Sequence, residues 1–230
     1  MRIRSLHRWP RTVMTALALQ RRLAHSVRVE SLSCEIRLVA GTDVAITRSK
    51  RAVIAGVVVW DIREQRVVAR ATSRATCRFP YVPGLLSFRE LPCTLAAFRR
   101  LRAIPDAVLC DGQGLAHPRR CGLACHLGLW LNLPTVGCAK SRLLGEYTEP
   151  SSERGAYSPL WHEGEQVGVV LRTRAGVKPV FVSPGHRCDF VGAVRLVLET
   201  TGCFRLPEPL RLAHQLVSAQ RATSDGRKAR

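Results

Sequence analysis

The sequence lacks several features that would place the chain in other protein classes. No stretch of about 20 uncharged apolar residues occurs among its 230 residues, so we expect no transmembrane helix and no membrane partner. No C-x-x-C pair occurs, and the segment holding Cys121, Cys125, His117 and His126 lacks zinc-knuckle spacing. The odd number of cysteines suits free thiols in a reducing cytoplasm. The nine cysteines are Cys34, Cys77, Cys93, Cys110, Cys121, Cys125, Cys138, Cys188 and Cys203.

Acidic residues are scarce, and so is lysine. The chain has 17 acidic residues against 36 basic ones, giving a net charge of +19, and only Lys50, Lys140, Lys178 and Lys228 are lysines. Such an excess of positive charge favours a polyanionic partner, and arginine suits bidentate contacts with phosphate. Genome composition could explain the ratio of arginine to lysine, but not the net charge. We therefore expect a nucleic acid as partner.

The length and the 46% hydrophobic content predict a single domain over residues 1–230. We also expect the protein to be a monomer. Residues 1–29 contain seven arginines and no acid, which is typical of a transit segment or of a basic arm. We favour an arm, residues 1–13, leading into a helix over 15–27, because Leu17, Leu19, Leu23 and Val27 form an apolar face. The arm and the basic tail 222–230 are expected to be disordered.

The remaining periodicities predict an α/β fold. An apolar strand precedes Asp43, a hairpin follows, and helices then alternate with strands, which implies parallel crossovers. In chain order the predicted elements are strands at 37–41, 52–60 and 65–75, a helix containing Glu90, a strand at 107–110, a helix at 119–131, strands at 134–139, 167–173 and 179–183, and helices at 189–200 and 208–220. This order resembles the ribonuclease H-like fold: a mixed central sheet of three antiparallel strands, then parallel strands, flanked by helices.

Three acids lie beside apolar segments. RLVAG (37–41) precedes Asp43, AVLC (107–110) precedes Asp111, and Glu90 begins a helical pattern of apolar residues. Charged groups avoid such positions unless they are paired or bind a metal. Pairing with arginine would explain any one acid alone. The three together predict a site for a hard cation such as Mg²⁺, which prefers oxygen ligands.

Longer motifs cover most of the chain. They are FPYVPGLLSFRE (79–90), CDGQGLAHPRRCGLA (110–124), LPTVGCAKSRLLG (133–145), PGHR (184–187) and LPEP (206–209). Together they resemble endonuclease V, in order, from about residue 15 to residue 217. The resemblance implies a DNA repair endonuclease that recognises hypoxanthine (deoxyinosine). It would hydrolyse the second phosphodiester bond 3′ to the lesion with Mg²⁺, or Mn²⁺ in its place, and leave 3′-hydroxyl and 5′-phosphate ends.

The residues offer groups for this chemistry. Asp43 and Asp111 are the expected direct metal ligands, with Glu90 binding directly or through water. Lys140 could stabilise the developing phosphate charge or the attacking hydroxide. By resemblance, His214 is a candidate ligand for a second metal, although a solvent-facing histidine fits the sequence almost as well.

A second group of residues is expected to recognise the lesion. Tyr81, stiffened by Pro80 and Pro83, could act as a wedge in the base stack, although an aromatic residue in such a turn is often part of the core. Glycines could let the backbone read a flipped hypoxanthine, with His117 at the border of the pocket or capping a helix. Arg119 and Arg120 are expected to contact phosphate. The glycines concerned are Gly84, Gly112, Gly114 and Gly122.

Two alternatives to a DNA repair endonuclease stay open at this point. The substrate could be RNA containing inosine, because the contacts that read a 2′-hydroxyl are not placed by sequence. A non-catalytic nucleic-acid binding module of the same fold is the other alternative, and the presence of all three acids and Lys140 argues against it. His186 could orient a ligand or belong to the core. The segment 153–166, with Tyr157, Trp161 and His162, is expected to be a connecting loop.

Overall fold

The computed structural model describes residues 1, 3–32 and 35–226. The helices are α1 (Val13–Ala24), α2 (Leu86–Arg99), α3 (Leu123–Leu131), α4 (Phe190–Glu199) and α5 (Glu208–Gly226). The strands are β1 (Leu38–Ile46), β2 (Ala52–Asp61), β3 (Arg66–Thr76), β4 (Ala107–Cys110), β5 (Thr135–Ala139), β6 (Tyr157–His162), β7 (Glu165–Leu171) and β8 (Val180–Pro184). Cys34 and the last four residues of the predicted tail lie outside the described residues. No described helix is long and apolar enough to cross a membrane.

All eight strands form one mixed sheet in the order β3-β2-β1-β4-β5-β8-β7-β6. Strands β1, β2 and β3 pair antiparallel, and β4 and β5 follow in parallel with β1. The predicted ribonuclease H-like arrangement is therefore confirmed. Helices α2 and α3 pack with the sheet in one apolar cluster, and α4 and α5 contribute to another. The hairpin predicted around Gly176 is confirmed as the antiparallel pair β7 and β8.

The prediction of a connecting loop over 153–166 is wrong, because this segment contains β6. The strand pairs antiparallel with β7 at the edge of the sheet. Leu160 is its one buried residue, so the alternating apolar pattern of a half-buried strand is weak. Pro159 lowers the strand propensity further, and an edge strand tolerates proline because one side needs no partner.

Strand β1 runs past Asp43, whereas the sequence pattern placed the acid at the strand's end. The parallel pairing of β1 with β4, however, ends at Thr42 and Cys110. Beyond that point β1 is paired only with β2, where Asp43 lies opposite Gly56. The acid therefore follows the parallel ladder, although it lies inside a strand.

Helix α3 begins at Leu123 and not at residue 119 as predicted. Arg120 has a φ of 51°, in the left-handed region that ends rather than continues a right-handed helix. The residues before α3 instead form a loop in which the amide of Gly122 donates to the carbonyl of Gly114. This loop carries Asp111, so the later start of the helix shapes the site.

Close packing at Gly41 fixes α5 against β1. A Cβ atom at Gly41 would lie 2.1 Å from the carbonyl carbon of Pro209, which is much closer than any real contact. Gly56 on β2 similarly accommodates Val217 of α5. These contacts bring His214, which is also on α5, next to Asp43 on β1.

The expected disorder of the N-terminal arm differs from what the structure shows for its described residues. The amino group of Met1 donates to the carbonyl of Leu101, and Trp9 stacks on Trp130 with ring centroids 5.3 Å apart. At the other end, α5 continues to Gly226, into the segment expected to be a disordered tail. Aromatic packing holds the arm despite its basic composition.

Candidate active site

The structure brings together the three acids singled out from the sequence. Asp43, Glu90 and Asp111 line one small cavity, with Asp43 on β1, Glu90 on α2 and Asp111 directly after β4. The amide of Asp111 donates to the carbonyl of Thr42, which continues the β1–β4 pairing by one bond. The end of the parallel ladder therefore positions two of the acids, and α2 places the third opposite them.

Burial makes this cluster electrostatically unfavourable. Desolvation raises the pKa of Glu90 to about 8, and the neighbouring carboxylates Asp43 and Asp111 add to the rise while Arg89 opposes it. The pKa of Asp111 is also raised, first by burial and then by Asp43. Two partly buried carboxyl groups with raised pKa values favour either a proton or a cation between them.

Lys140 and His214, also predicted from the sequence, meet the acids on the exposed side. The Lys140 ammonium lies 3.7 Å from Oδ2 of Asp111, and Nδ1 of His214 lies 2.8 Å from Oδ2 of Asp43. Both partners lower the pKa of Asp111, although less than burial raises it. The His214 side chain is 55% exposed, so it faces solvent while its Nδ1 contacts Asp43, and its role as a ligand for a second metal stays a prediction.

The donors in this cavity suit a hard cation. Besides the three carboxyl groups, the cavity is lined by Thr42, whose buried hydroxyl oxygen has no hydrogen-bond partner within the described part of the chain. Oxygen donors of this kind are those that Mg²⁺ accepts. Among the described residues, however, no three His, Cys, Asp or Glu side chains are close enough to form a finished metal site. The oxygen donors are therefore of the kind that Mg²⁺ binds, but the described side chains are not close enough together to coordinate one ion.

A larger cavity of about 400 Å³ opens beside the acids. Asp111 and Lys140 line it together with the loop carrying Tyr81, Pro83 and Gly84. Tyr81 is 68% exposed, which excludes the alternative that it is part of the core. The Arg89 guanidinium lies 5.8 Å from the centre of the Tyr81 ring, so α2 contacts this loop as well. We refer to this space as the loop cavity.

The carbonyl of Gly84 anchors the loop. It accepts hydrogen bonds from Nε2 of Gln20 at 3.0 Å, Nε2 of His117 at 2.9 Å and Nη2 of Arg119 at 2.9 Å. Nε2 of Gln20 also donates to the carbonyl of Cys121 at 2.7 Å. Gln20 is almost fully buried and was missed from the sequence, where a polar residue on an amphipathic helix gives no signal of its role.

His117 is held neutral in this network. Burial lowers its pKa to about 4, and the guanidinium of Arg119 adds to the effect. Because Nδ1 accepts from the amide of Arg119 at 3.1 Å, the proton lies on Nε2, which donates to Gly84. The imidazole therefore joins two loops that line the cavity, and it does not cap α3, which begins at Leu123.

The two arginines expected to contact phosphate are engaged within the protein. Nε of Arg119 donates to Oε1 of Gln20 at 2.5 Å, which completes the anchor at Gly84. Arg120 donates to Oε2 of Glu165 at 3.0 Å and to the carbonyl of His162 at 3.1 Å. Arg119 thus supports the loop cavity and Arg120 ties it to the β6–β7 turn. Their contact with phosphate stays a prediction.

The glycines of the 110–124 motif have a packing role. A Cβ at Gly122 would lie 2.3 Å from the carbonyl oxygen of Gln113, and one at Gly114 would lie 2.0 Å from that of Pro184. Gly112 has a φ of 150°, which disfavours other residues. These features let the segment after β4 fold tightly beside the acids. It stays a prediction that Gly84, Gly112 and Gly122 contact a base directly. It also stays a prediction that Pro80 and Pro83, beside the Tyr81 wedge, contact the lesion.

His186 lies in a hydrogen-bonded core position. Its Nδ1 accepts from the amide of Arg28 at 3.2 Å, and its own amide donates to the hydroxyl of Thr135 at 2.8 Å. Of the two roles that the sequence allowed, the structure favours the structural one. The eight described cysteines are free, and most are buried as small apolar residues.

Comparison with known proteins places these features in one family. A family model described as Endonuclease V matches residues 21–215. An Endonuclease V of Dehalococcoides mccartyi is 50% identical over 213 residues, covering 93% of this chain and 96% of that protein. The crystal structure of the Endonuclease V of Streptomyces avermitilis has a TM-score of 0.90 at 43% identity, covering 94% of this chain and 96% of that one.

A more distant relative has been solved with nucleic acid. The Endonuclease V of Ciona intestinalis, in its D234N form, is 26% identical with a TM-score of 0.80, covering 92% of this chain and 97% of that chain. That structure is a complex with a 23mer DNA containing an inosine followed by a ribo-adenosine.

Proposed function

This chain belongs to the endonuclease V family and is an endonuclease, and we propose that its substrate is DNA containing hypoxanthine. The enzyme hydrolyses the second phosphodiester bond on the 3′ side of the lesion and leaves 3′-hydroxyl and 5′-phosphate ends. The complex of the Ciona intestinalis relative with inosine-containing DNA supports the substrate class. The net charge of +19 supports capture of a polyanion.

The observation that carries the proposal is the position of Asp111. It lines both the loop cavity and the small cavity of the three acids, which we call the acid cavity. If a base were bound in the loop cavity, the strand that carries this base would pass close to the three acids. Binding of the lesion would then also position the phosphodiester group that is cut, in the orientation that the reaction needs. Lys140 lines the same boundary and offers a positive charge to the phosphate.

Recognition of the lesion falls to the loop cavity. Tyr81 projects from a loop that three hydrogen bonds anchor at Gly84, so the aromatic ring can enter a base stack without displacement of its support. Hypoxanthine pairs weakly and leaves the stack at low cost, which favours it over a normal base. The Gly84 carbonyl is fully used by the anchor, so the base edge is read by other backbone groups of the cavity.

Asp43 and Asp111 are the residues that would hold Mg²⁺, with Glu90 completing the set directly or through water. Bound Mg²⁺ would supply charge neutralisation at the phosphate and lower the pKa of a water molecule. Glu90 would have to give up its proton to join this set, because its pKa of about 8 leaves it mostly protonated at neutral pH. The hydrogen bond of His214 to Asp43 supports a role in orienting this carboxylate. His214 as a ligand for a second metal stays a prediction.

Matched DNA and RNA strands with a single inosine test the proposal. We expect cleavage of the DNA strand at the second bond 3′ to inosine with Mg²⁺, and none with EDTA. Glu153→Gln, which changes an exposed residue that lines neither cavity, serves as the control variant and should cut like the wild type. Preferred cleavage of the RNA strand would make RNA the substrate. Absence of cleavage of both strands with Mg²⁺ would contradict the proposal.

A further inference from the structure

A second and larger cleft lies next to the loop cavity. It has a volume of about 630 Å³ and lies between the N-terminal arm, the end of β3 and α2. The segment from Arg78 to Cys93 borders both spaces, since Tyr81 to Gly84 line the loop cavity while Phe79 and Arg89 line the cleft. We call this second space the arm cleft. None of the roles proposed above uses it.

The walls of the arm cleft combine aromatic rings with guanidinium groups. Trp9, Phe79 and Phe88 supply the rings, and Arg11, Arg78 and Arg89 supply the charges. Among the described residues that line the cleft, none is acidic, so its positive charge is not neutralised from within. An aromatic wall beside several guanidinium groups suits a ligand that has both a flat apolar face and an anionic group.

Arg89 links the arm cleft to the wedge. Its Nε is buried without a hydrogen-bond partner within the described residues, while its guanidinium carbon lies 5.8 Å from the Tyr81 ring centre. A buried guanidinium nitrogen without an acceptor is unfavourable. The Arg89 side chain as a whole is only partly buried and lines the cleft, so a phosphate oxygen there can pair with the exposed part of the guanidinium. The same side chain would then contact the ligand of the cleft and the residue expected to open the base stack.

We propose that the arm cleft binds one nucleotide of the nucleic acid on the far side of the Tyr81 wedge from the lesion. The base lies against the aromatic wall, and its phosphate pairs with Arg11, Arg78 and Arg89. The cleft is larger than the loop cavity, which is proposed to take one base, so a base with its sugar and phosphate can be accommodated. Continuity with the wedge favours nucleic acid over an acidic peptide. The inference rests on the proposed function for the identity of the strand.

A charge-matched pair of variants provides the first test. Arg11→Gln with Arg78→Gln removes two exposed charges from the cleft, and Arg70→Gln with Arg74→Gln removes two exposed charges from β3 outside it. We expect the cleft variant to bind an undamaged single-stranded oligonucleotide roughly tenfold more weakly than the control variant. The slope of log affinity against log salt should become shallower by about 0.7 in the cleft variant, because one phosphate contact with a single strand is lost. Equal losses in both variants would overturn the inference.

Crosslinking to the wild-type protein provides an independent test, because it requires no substitution in the cleft. Oligonucleotides with 5-iodouracil at successive positions on either side of an inosine should crosslink to Trp9 from one position only. Crosslinking to Trp9 from no position, or equally from every position, would contradict a defined nucleotide site. Poly-glutamate that displaces this crosslink more effectively than an unlabelled oligonucleotide would assign the cleft to an acidic peptide.

The two proposals can fail separately. The binding tests with undamaged strands report on the arm cleft even if the chain does not cut at inosine. Conversely, the cleft variant could cleave normally at inosine and bind the oligonucleotide as tightly as the control variant does. This result would support the proposed function and refute the nucleotide-binding role of the arm cleft.

Discussion

Replacement of Glu90 by glutamine should stabilise the metal-free protein while it removes activity. In the folded chain the pKa of Glu90 is about 8, against 4.5 for an ordinary glutamate, mainly because burial disfavours its charged form. Between these two pH values the folded protein therefore binds one proton more than the unfolded chain. The contribution of Glu90 to stability therefore falls with rising pH in that range by about 1.4 kcal/mol per pH unit, and the fall ends near pH 8.

The magnitude follows from the pH interval. At pH 7, which is about 2.5 units above the ordinary value, the buried carboxyl group costs about 3 kcal/mol relative to a side chain that does not titrate. Glu90→Gln has nearly the same shape and no titration, so it should be more stable than the wild type by up to this amount at pH 7. Near pH 4.5 this difference should vanish.

Urea unfolding with EDTA at pH 5, 7 and 8.5 measures the effect. The difference between wild type and Glu90→Gln should grow from pH 5 to pH 8.5, whereas any change in hydrogen bonding by the amide is independent of pH. Glu153→Gln, which alters an exposed side chain, controls for the substitution itself. The reasoning is refuted if the stability difference between Glu90→Gln and wild type is the same at all three pH values.

Three further perturbations test other parts of the site. Tyr81→Ala should reduce the preference for inosine over undamaged duplex, because a wedge offsets a few kcal/mol of unstacking; an unchanged preference ratio would contradict this. Gln20→Leu removes two donors and one acceptor from the loop anchor, and we expect it to weaken inosine binding more than binding to undamaged DNA, as competition binding would show. Affinity for undamaged duplex should fall steeply with salt, whereas single-turnover cleavage of bound substrate should change little; a flat affinity profile would show that the basic excess does not serve nucleic-acid binding.

The fold was predictable where the sequence pattern is strong. The continuous apolar run of β2 and the alternating pattern of β3 predicted the hairpin that these two strands form. The three acids predicted the position of the site, because a buried charge needs a partner. Strand β6 was missed because an edge strand with one buried residue has little apolar pattern to detect. The start of α3 depends on the left-handed conformation of Arg120, which its residue type does not indicate.

The support of the site was harder to predict than its acids. Gln20 lies 64 residues before the Gly84 carbonyl that it binds, and only the packing of α1 brings the two together. The arm was expected to be disordered because of its basic composition, yet Trp9 and His7 pack against α3. Contacts between distant segments determine both the position of Gln20 and the packing of the arm. Such contacts cannot be predicted from local periodicity.

The most direct test of the central claim is single-turnover cleavage of an inosine-containing DNA strand by Asp43→Asn and Asp111→Asn, with the affinity for the same strand measured in parallel. Both carboxylates line the acid cavity, so loss of either should remove the cation site. Cleavage with Mg²⁺ should be abolished in each variant, while affinity stays close to that of the wild type because arginines and the loop cavity provide it. Cleavage by either variant at a rate near that of the wild type would contradict the assignment of these acids to the catalytic metal site.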